Sequence, residues 1–240
     1  SAKIAKSFDK KLKYYKTPKK FSLGEGRKFG VNFCSKYIAT LDVDDIWEPH
    51  ALESLYSGII SGDYALCFGN QISVNADGKY INKLKSIYTG QKGDFLGKLL
   101  SQFDIPMVAT IIDKEKMLNS NLNFDDKIIG SVEYSLFLPL SVDHHYISID
   151  SHVVRYRYHN SLSSKLDKVK HKERRYILDK MLYRNPEIKH KYSKELEKAY
   201  ARADYYESQF LMKQGFNQKA FNLLIKNSFV DFRYLLLSIT

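Results

Sequence analysis

No stretch of this 240-residue chain is apolar for the roughly 18 residues that a membrane-spanning helix needs. Runs such as Tyr234 to Leu237 stop far short of that. No signal peptide opens the chain, so the expectation is a cytoplasmic protein. Cysteine is almost missing: Cys34 and Cys67 are the only two, far apart and each among apolar neighbours. That favours two reduced thiols that pack like small hydrophobes over a disulfide or a metal site.

Acidic side chains are also scarce over long stretches. Residues 1–36 carry 11 basic and 2 acidic groups, and residues 165–202 carry 13 and 6. Residues 37–164 reverse the balance, with 10 basic and 16 acidic groups. A nucleic-acid reader concentrates positive charge around its working motif, whereas here the motif-bearing middle is negative. The basic flanks suit an anionic ligand or the anionic cytoplasmic face of a membrane, although solvated lysine-rich faces are more frequent.

Enough remains for a sizeable core, since 44% of the residues are hydrophobic. Loosely helical spacing in the first 11 residues, and a short strand at Leu12 to Tyr15, place the start of the chain inside an α/β alternation. Next, Gly24, Gly26 and Gly30 surround Arg27 and Lys28. Glycines leading into a helix can let backbone approach a phosphate, though close packing explains them more often.

The most informative stretch is YIATLDVDDIWEP, Tyr37 to Pro49. A β-prone run stops at Asp42, Asp44 and Asp45. Three carboxylates in four residues repel one another and are tolerated best beneath a cation or cationic ligand. Asp45 is expected to cap the following helix, with Pro49 in its first turn and Leu52, Leu55, Tyr56, Ile59 and Ile60 on its core face.

Further on, Asp63 to Val74 and Lys79 to Ile81 read as a hairpin around Asn75-Ala76-Asp77-Gly78. A helix is expected within residues 90–103, a strand over Met107 to Asp113, then a short helix through Met117 and Leu118. After Gly130 a helix carries Val132, Leu136, Phe137 and Leu140 inward, with Glu133 in its first turn, where an acid complements the helix dipole. His144 to His159 holds one or two strands in which alternation puts Arg155, Arg157 and His159 on one side. From residue 165 the chain turns to charged helices, a helical region over 165–240 whose final helix, turn and helix resemble one tetratricopeptide-like hairpin without a sustained period.

Taken in order, GEGRKFGV, YIATLDVDDIWEPHALE, VNADGK, an FDD segment followed by VEYSLFL, and VRYRYHNSLS resemble the family 2 glycosyltransferases of the GT-A fold, over residues 1–164. The resemblance implies an α/β nucleotide-sugar-binding sheet flanked by helices, with residues 165–240 appended. It implies an inverting transfer from a nucleotide-diphosphate sugar to a glycan or lipid-linked acceptor, as in bacterial-type surface polysaccharide or glycoconjugate synthesis. Asp42-Val43-Asp44 would be the Asp-x-Asp motif. Asp44 would hold Mg²⁺ or Mn²⁺, and Asp42 would lie nearer the nucleotide. Glu133 falls where the family has its general base, and Val132 replaces the preceding acid. Arg27 would touch the donor, Trp47 would wall the donor side, and Arg157 and His159 would meet the diphosphate. The helical tail is a candidate protein-binding region.

Two other classes compete. A haloacid-dehalogenase-type phosphatase would use Asp42 as nucleophile and Asp44 as acid, but it has no use for a YRYHNSLS ending. A degenerate, non-catalytic transferase-like binding protein would account for Gly26, Lys28 and Val132. The family's opening strands, which bind base and ribose, have no counterpart in these residues. The 240-residue chain alone is therefore expected to release little or no nucleoside diphosphate from any nucleotide sugar; robust turnover in a donor panel would overturn this.

Overall fold

The computed structural model describes residues 12–158 and 166–234, together with residues 3, 4, 7, 8 and 236. Most of the expected opening helix lies outside that set. Residues 12–17 form no strand. The Tyr15 ring instead stacks on Phe33 at 3.9 Å and meets Phe29 edge-on, so an aromatic cluster rather than a ladder anchors this segment.

The glycine-rich segment is a helix in itself, α1 (Leu23–Val31). Ser22 caps it by accepting from the Glu25 N–H while the Glu25 carboxylate accepts from the Ser22 N–H, which satisfies two orphan donors at once. Its glycines thus lie within the helix, not ahead of it, and form no phosphate loop. Gly24 is there for packing: a Cβ would sit 2.3 Å from the Asp125 carbonyl oxygen and 2.9 Å from that of Ile128.

A seven-stranded mixed sheet follows. Its strands are β1 (Tyr37–Ala39), β2 (Ile46–Trp47), β3 (Tyr64–Val74), β4 (Tyr80–Leu84), β5 (Lys92–Gly93), β6 (Thr110–Asp113) and β7 (His145–Arg157). The order is β1-β6-β3-β7-β2, with β4 on β3 and β5 on β7. β3 and β7 run parallel from Tyr64↔His145 to Val74↔Arg157, and every other pairing is antiparallel. The hairpin of β3 and β4 forms as its turn sequence requires, with Gly78 at φ +80.

Both faces of the sheet are covered. Alternation sends Leu66, Phe68 and Ile112 to one face and Cys67 and Ile111 to the other, as a pleated strand must. The second face is covered by α2 (Ala51–Ile60) through Ala51, Leu55 and Ile59. Leu52, Tyr56 and Ile60, expected in the core, are about half exposed. The buried stripe is narrower than the run of apolar residues suggested, because Gly58 lets α2 lie against Cys67 and Ile149. Pro49 lies in the turn before α2, whose N-cap is His50.

The first face carries α3 (Leu96–Ser101), α4 (Lys114–Asn119) and α5 (Val132–Leu140). α3 starts later than the sequence pattern suggests, because Gly90 and Gly93 adopt positive φ and residues 92–93 join the sheet. Similarly, Met107–Ala109 is a 3-10 turn ahead of β6. Val132, Leu136, Phe137 and Leu140 of α5 are all buried, as their spacing predicts.

Residues 166–234 add α6 (Asp167–Arg184), α7 (Ile188–Lys191), α8 (Ser193–Lys213) and α9 (Asn217–Asn227). Gly215 at φ +79 makes the turn between α8 and α9. Ile177, Leu178, Met181, Ile188, Leu196 and Ala199 belong to the same hydrophobic cluster as Leu66, Phe68 and Phe137. The helices therefore share the first-face core of the sheet.

Two glycines of α1 give opposite expectations. Gly24→Ala drives a methyl into backbone and should destabilise by about 1–3 kcal/mol. Gly26→Ala meets no atom within 4 Å and should stabilise by about 1 kcal/mol, as in an exposed helix interior. Urea denaturation of both variants checks the difference in sign.

Candidate active site

β1 ends at Ala39, and the acids that follow form a tight turn in which the Asp45 N–H donates to the Asp42 carbonyl at 3.1 Å. Val43 stands fully exposed at the tip. Such a turn holds three carboxylates close together, so their mutual repulsion has to be met by neighbouring donors.

Two of those donors are resolved. The Arg27 guanidinium reaches across from α1, with Nη2 3.1 Å and 3.4 Å from the two Asp42 carboxylate oxygens. Its side chain is only 8% exposed. Asp45 is buried and accepts the Arg157 backbone N–H at 2.9 Å. Asp45 therefore fastens the turn to the end of β7; it does not cap α2, which begins six residues later. Asp44 remains half-buried in the turn.

The remaining basic groups are arranged unevenly. Arg27 Nη1 and Arg157 Nε are buried and make no hydrogen bond among the described residues. A buried guanidinium N–H without a partner costs free energy, so each has room for one further acceptor. Arg155, on the same strand, pairs with Glu48 instead, its Nε 2.6 Å from the carboxylate. His159 lies outside the described residues.

A cleft of about 490 Å³ beside the turn is lined by Phe21, Gly26, Arg27, Thr40, Leu41 and Asp42 among others. A larger cavity, about 800 Å³, is lined by residues of the helical region and by none of the acidic turn. Trp47 is half-buried, and its indole N–H donates to the Val108 carbonyl at 2.8 Å. Its polar edge is thus committed inside the second core cluster.

Tyr156 was not singled out by the sequence pattern. Burial pushes its phenol above the ordinary value, and the negative charges of Asp45, Asp44 and Asp42 push it further. Its neighbour Tyr158 meets it edge-on at 5.4 Å. The available signal was its position between two arginines in YRY, which strand alternation alone assigned to the opposite side.

Glu133 is half-buried in the first turn of α5. No hydrogen bond or ion pair joins it to the acidic turn among the described residues. The connection is indirect. α1, which carries Arg27, is seated on the loop before α5 by Gly24 and by the Lys28–Asp126 ion pair at 2.9 Å.

Among the described residues no group of three His, Cys, Asp or Glu side chains forms a metal cage. The donor set still fits a hard divalent ion of the kind that takes one or two carboxylates and completes its shell with water and phosphate oxygens.

A model of glycosyl transferase family 2 matches residues 1–115. Residues 1–115 therefore carry the sequence pattern of this family. An uncharacterized glycosyltransferase of Methanocaldococcus jannaschii is 26% identical over 157 residues, which is 63% of this chain and 52% of that protein. The chain thus spans about half the length of that relative. Among solved structures, S. aureus TarS 1–349 in complex with UDP-GlcNAc superposes with a TM-score of 0.65 at 14% identity, covering 97% of this chain and 70% of that one. Its complex with UDP gives 0.65 at 12% identity, covering 91% and 62%. The fold is GT-A, as the order of motifs implied. The match over residues 1–115 and the GT-A fold count against the phosphatase alternative, and Asp42 is ion-paired with Arg27.

Removing Arg27 should leave Asp42 facing its acidic neighbours. Arg27→Met is expected to destabilise the fold, and adding Asp42→Asn should restore part of the loss, with a coupling of about 1 kcal/mol in a double-mutant cycle. Additive losses in urea denaturation would show that the pair does no stabilising.

Proposed function

We propose that the protein transfers a sugar from a nucleotide-diphosphate donor to an acceptor hydroxyl with inversion at the anomeric carbon. The observation that carries this reading is the acidic turn flanked, beside a cleft, by two arginines that each keep a buried N–H with no hydrogen bond among the described residues. That combination of signs suits a polyanion and a cation bound together.

Arg27 Nη1 and Arg157 would donate to the diphosphate, charge-assisted bonds that are stronger than neutral ones. His159, from the same closing motif, would join them. Asp44 would hold Mg²⁺ or Mn²⁺, whose chemistry is to offset charge on the leaving diphosphate. Asp42, steadied by Arg27, would face the nucleotide. Tyr156 has its phenol beside the acids and, with a raised pKa, stays a neutral donor at physiological pH. Trp47 would support the donor wall from beneath.

Glu133 would take the proton of the acceptor hydroxyl as that oxygen attacks the anomeric carbon. The bond from that carbon to the diphosphate oxygen breaks on the opposite face, and its electron pair leaves with the diphosphate. General-base help of this kind is worth about 10²–10⁴-fold. The TarS complex with UDP-GlcNAc makes uridine-diphosphate sugars the first donors to try. A glycan or lipid-linked acceptor, in surface polysaccharide or glycoconjugate synthesis, fits the family. No helix among the described residues is long and apolar enough to cross a membrane. The basic flanks suit peripheral contact with an anionic cytoplasmic face, and the helical tail is a candidate protein contact.

Calorimetry of a full-length form with uridine diphosphate should show Mn²⁺-dependent binding that Asp44→Asn abolishes. Glu133→Gln should leave that binding in place and lower kcat by about 10²–10⁴-fold. Unchanged affinity in Asp44→Asn would remove the metal assignment, and unchanged kcat in Glu133→Gln would remove the base.

A further inference from the structure

The helical region reaches the start of α5 with two side chains that no sequence motif marks. Glu173 of α6 is buried, and its carboxylate accepts two backbone N–H groups, Ile129 at Oε1 and Gly130 at Oε2, both at 2.9 Å. A carboxylate bound by two amides is a rigid fork, and each bond to a charged acceptor is stronger than a neutral one. The loop fits closely around this fork. A Cβ on Gly130 would sit 3.2 Å from Glu173 Oε2 and 3.3 Å from Leu166 and Val169.

One residue further along α6, Arg174 approaches from beyond Glu133. Its guanidinium carbon lies 4.3 Å from the centroid of the Tyr134 ring, 4.9 Å from Tyr206 and 5.8 Å from Phe103. Arg174 Nε is buried without a hydrogen bond among the described residues, so the stacked rings are what hold it. A guanidinium between aromatic faces is a directional, planar contact that a lysine does not reproduce. Glu173 thus fixes the two residues that precede Ser131, and Arg174 fixes Tyr134. Glu133 is held between them.

We infer that Glu173 and Arg174 are positioning residues for Glu133, so that the helical region sets the alignment of the acceptor-side base. The inference rests on the base assignment made for Glu133 above. It differs from a general stabilising role, because it requires transfer to suffer while nucleotide binding, which belongs to the acidic turn and its arginines, does not.

The test uses the full-length protein with Glu173→Gln, which keeps the side-chain size but leaves only one oxygen to accept two N–H groups. Amide exchange at Ile129 and Gly130 should quicken by about tenfold or more, following the lost bond. The value of kcat should fall by about 10–100-fold, the scale of a misplaced catalytic group. Affinity for uridine diphosphate and KM for the donor should stay within about twofold. If Glu173→Gln does not accumulate as folded protein, Arg174→Lys is the second variant. It keeps the charge, loses the planar stack, and should show the same fall in kcat at constant donor KM.

Unchanged exchange or unchanged kcat in Glu173→Gln would overturn the inference, as would a loss of nucleotide affinity equal to the loss of kcat. Full turnover by Glu133→Gln would instead remove the base assignment, a result distinct from an inactive Glu133→Gln beside a fully active Glu173→Gln.

Discussion

Like-charge repulsion at Asp42, Asp44 and Asp45 is the constraint around which the molecule is arranged. A turn with three carboxylates is unfavourable unless its neighbours supply donors, and here they come from two distant parts of the chain. Arg27 arrives from α1, and the Arg157 N–H arrives from the last strand. To bring both to one place the sheet has to put β7 beside β2, and α1 has to be seated on the loop before α5. Much of the topology answers to that requirement.

The same two arginines have bonding capacity left over. Arg27 and Arg157 each keep a buried N–H that finds no acceptor among the described residues, and a buried donor of this kind costs free energy until it is paired. Positive and negative groups set side by side in this way suit the proposed ligand, a diphosphate together with its cation. Tyr156 stands beside the same acids: burial first, and then their negative charges, raise its phenol above the ordinary value.

The fold was largely legible in the sequence, because alternation and helical spacing report burial directly. The hairpin at Asn75 to Gly78, the inward face of α5 and the run into the acidic turn are all local signals. What failed was whatever depended on partners far along the chain. Leu12 to Tyr15 has the composition of a strand, but an aromatic cluster claims it. Leu52, Tyr56 and Ile60 are apolar, yet α2 turns its Ala51, Leu55 and Ile59 edge to the sheet because Gly58 allows close approach there. Asp45 looked like a helix cap since the helix is near in sequence, while the N–H it accepts belongs to Arg157. Glu173 and Arg174 read as two more charges on a charged helix, since nothing local reveals that they face amides and rings.

The bond between Asp45 and Arg157 joins residues 112 apart in the chain. Closing so long a loop is entropically uphill until the parallel pairing of β3 with β7 rewards it, and non-local pairings of that kind form slowly. Asp45 therefore gains this donor only when the end of β7 docks, whereas Asp42 meets Arg27 from 15 residues away. The Arg157 N–H belongs to the last strand in chain order, so the partner of Asp45 is the final part of the sheet that the chain supplies.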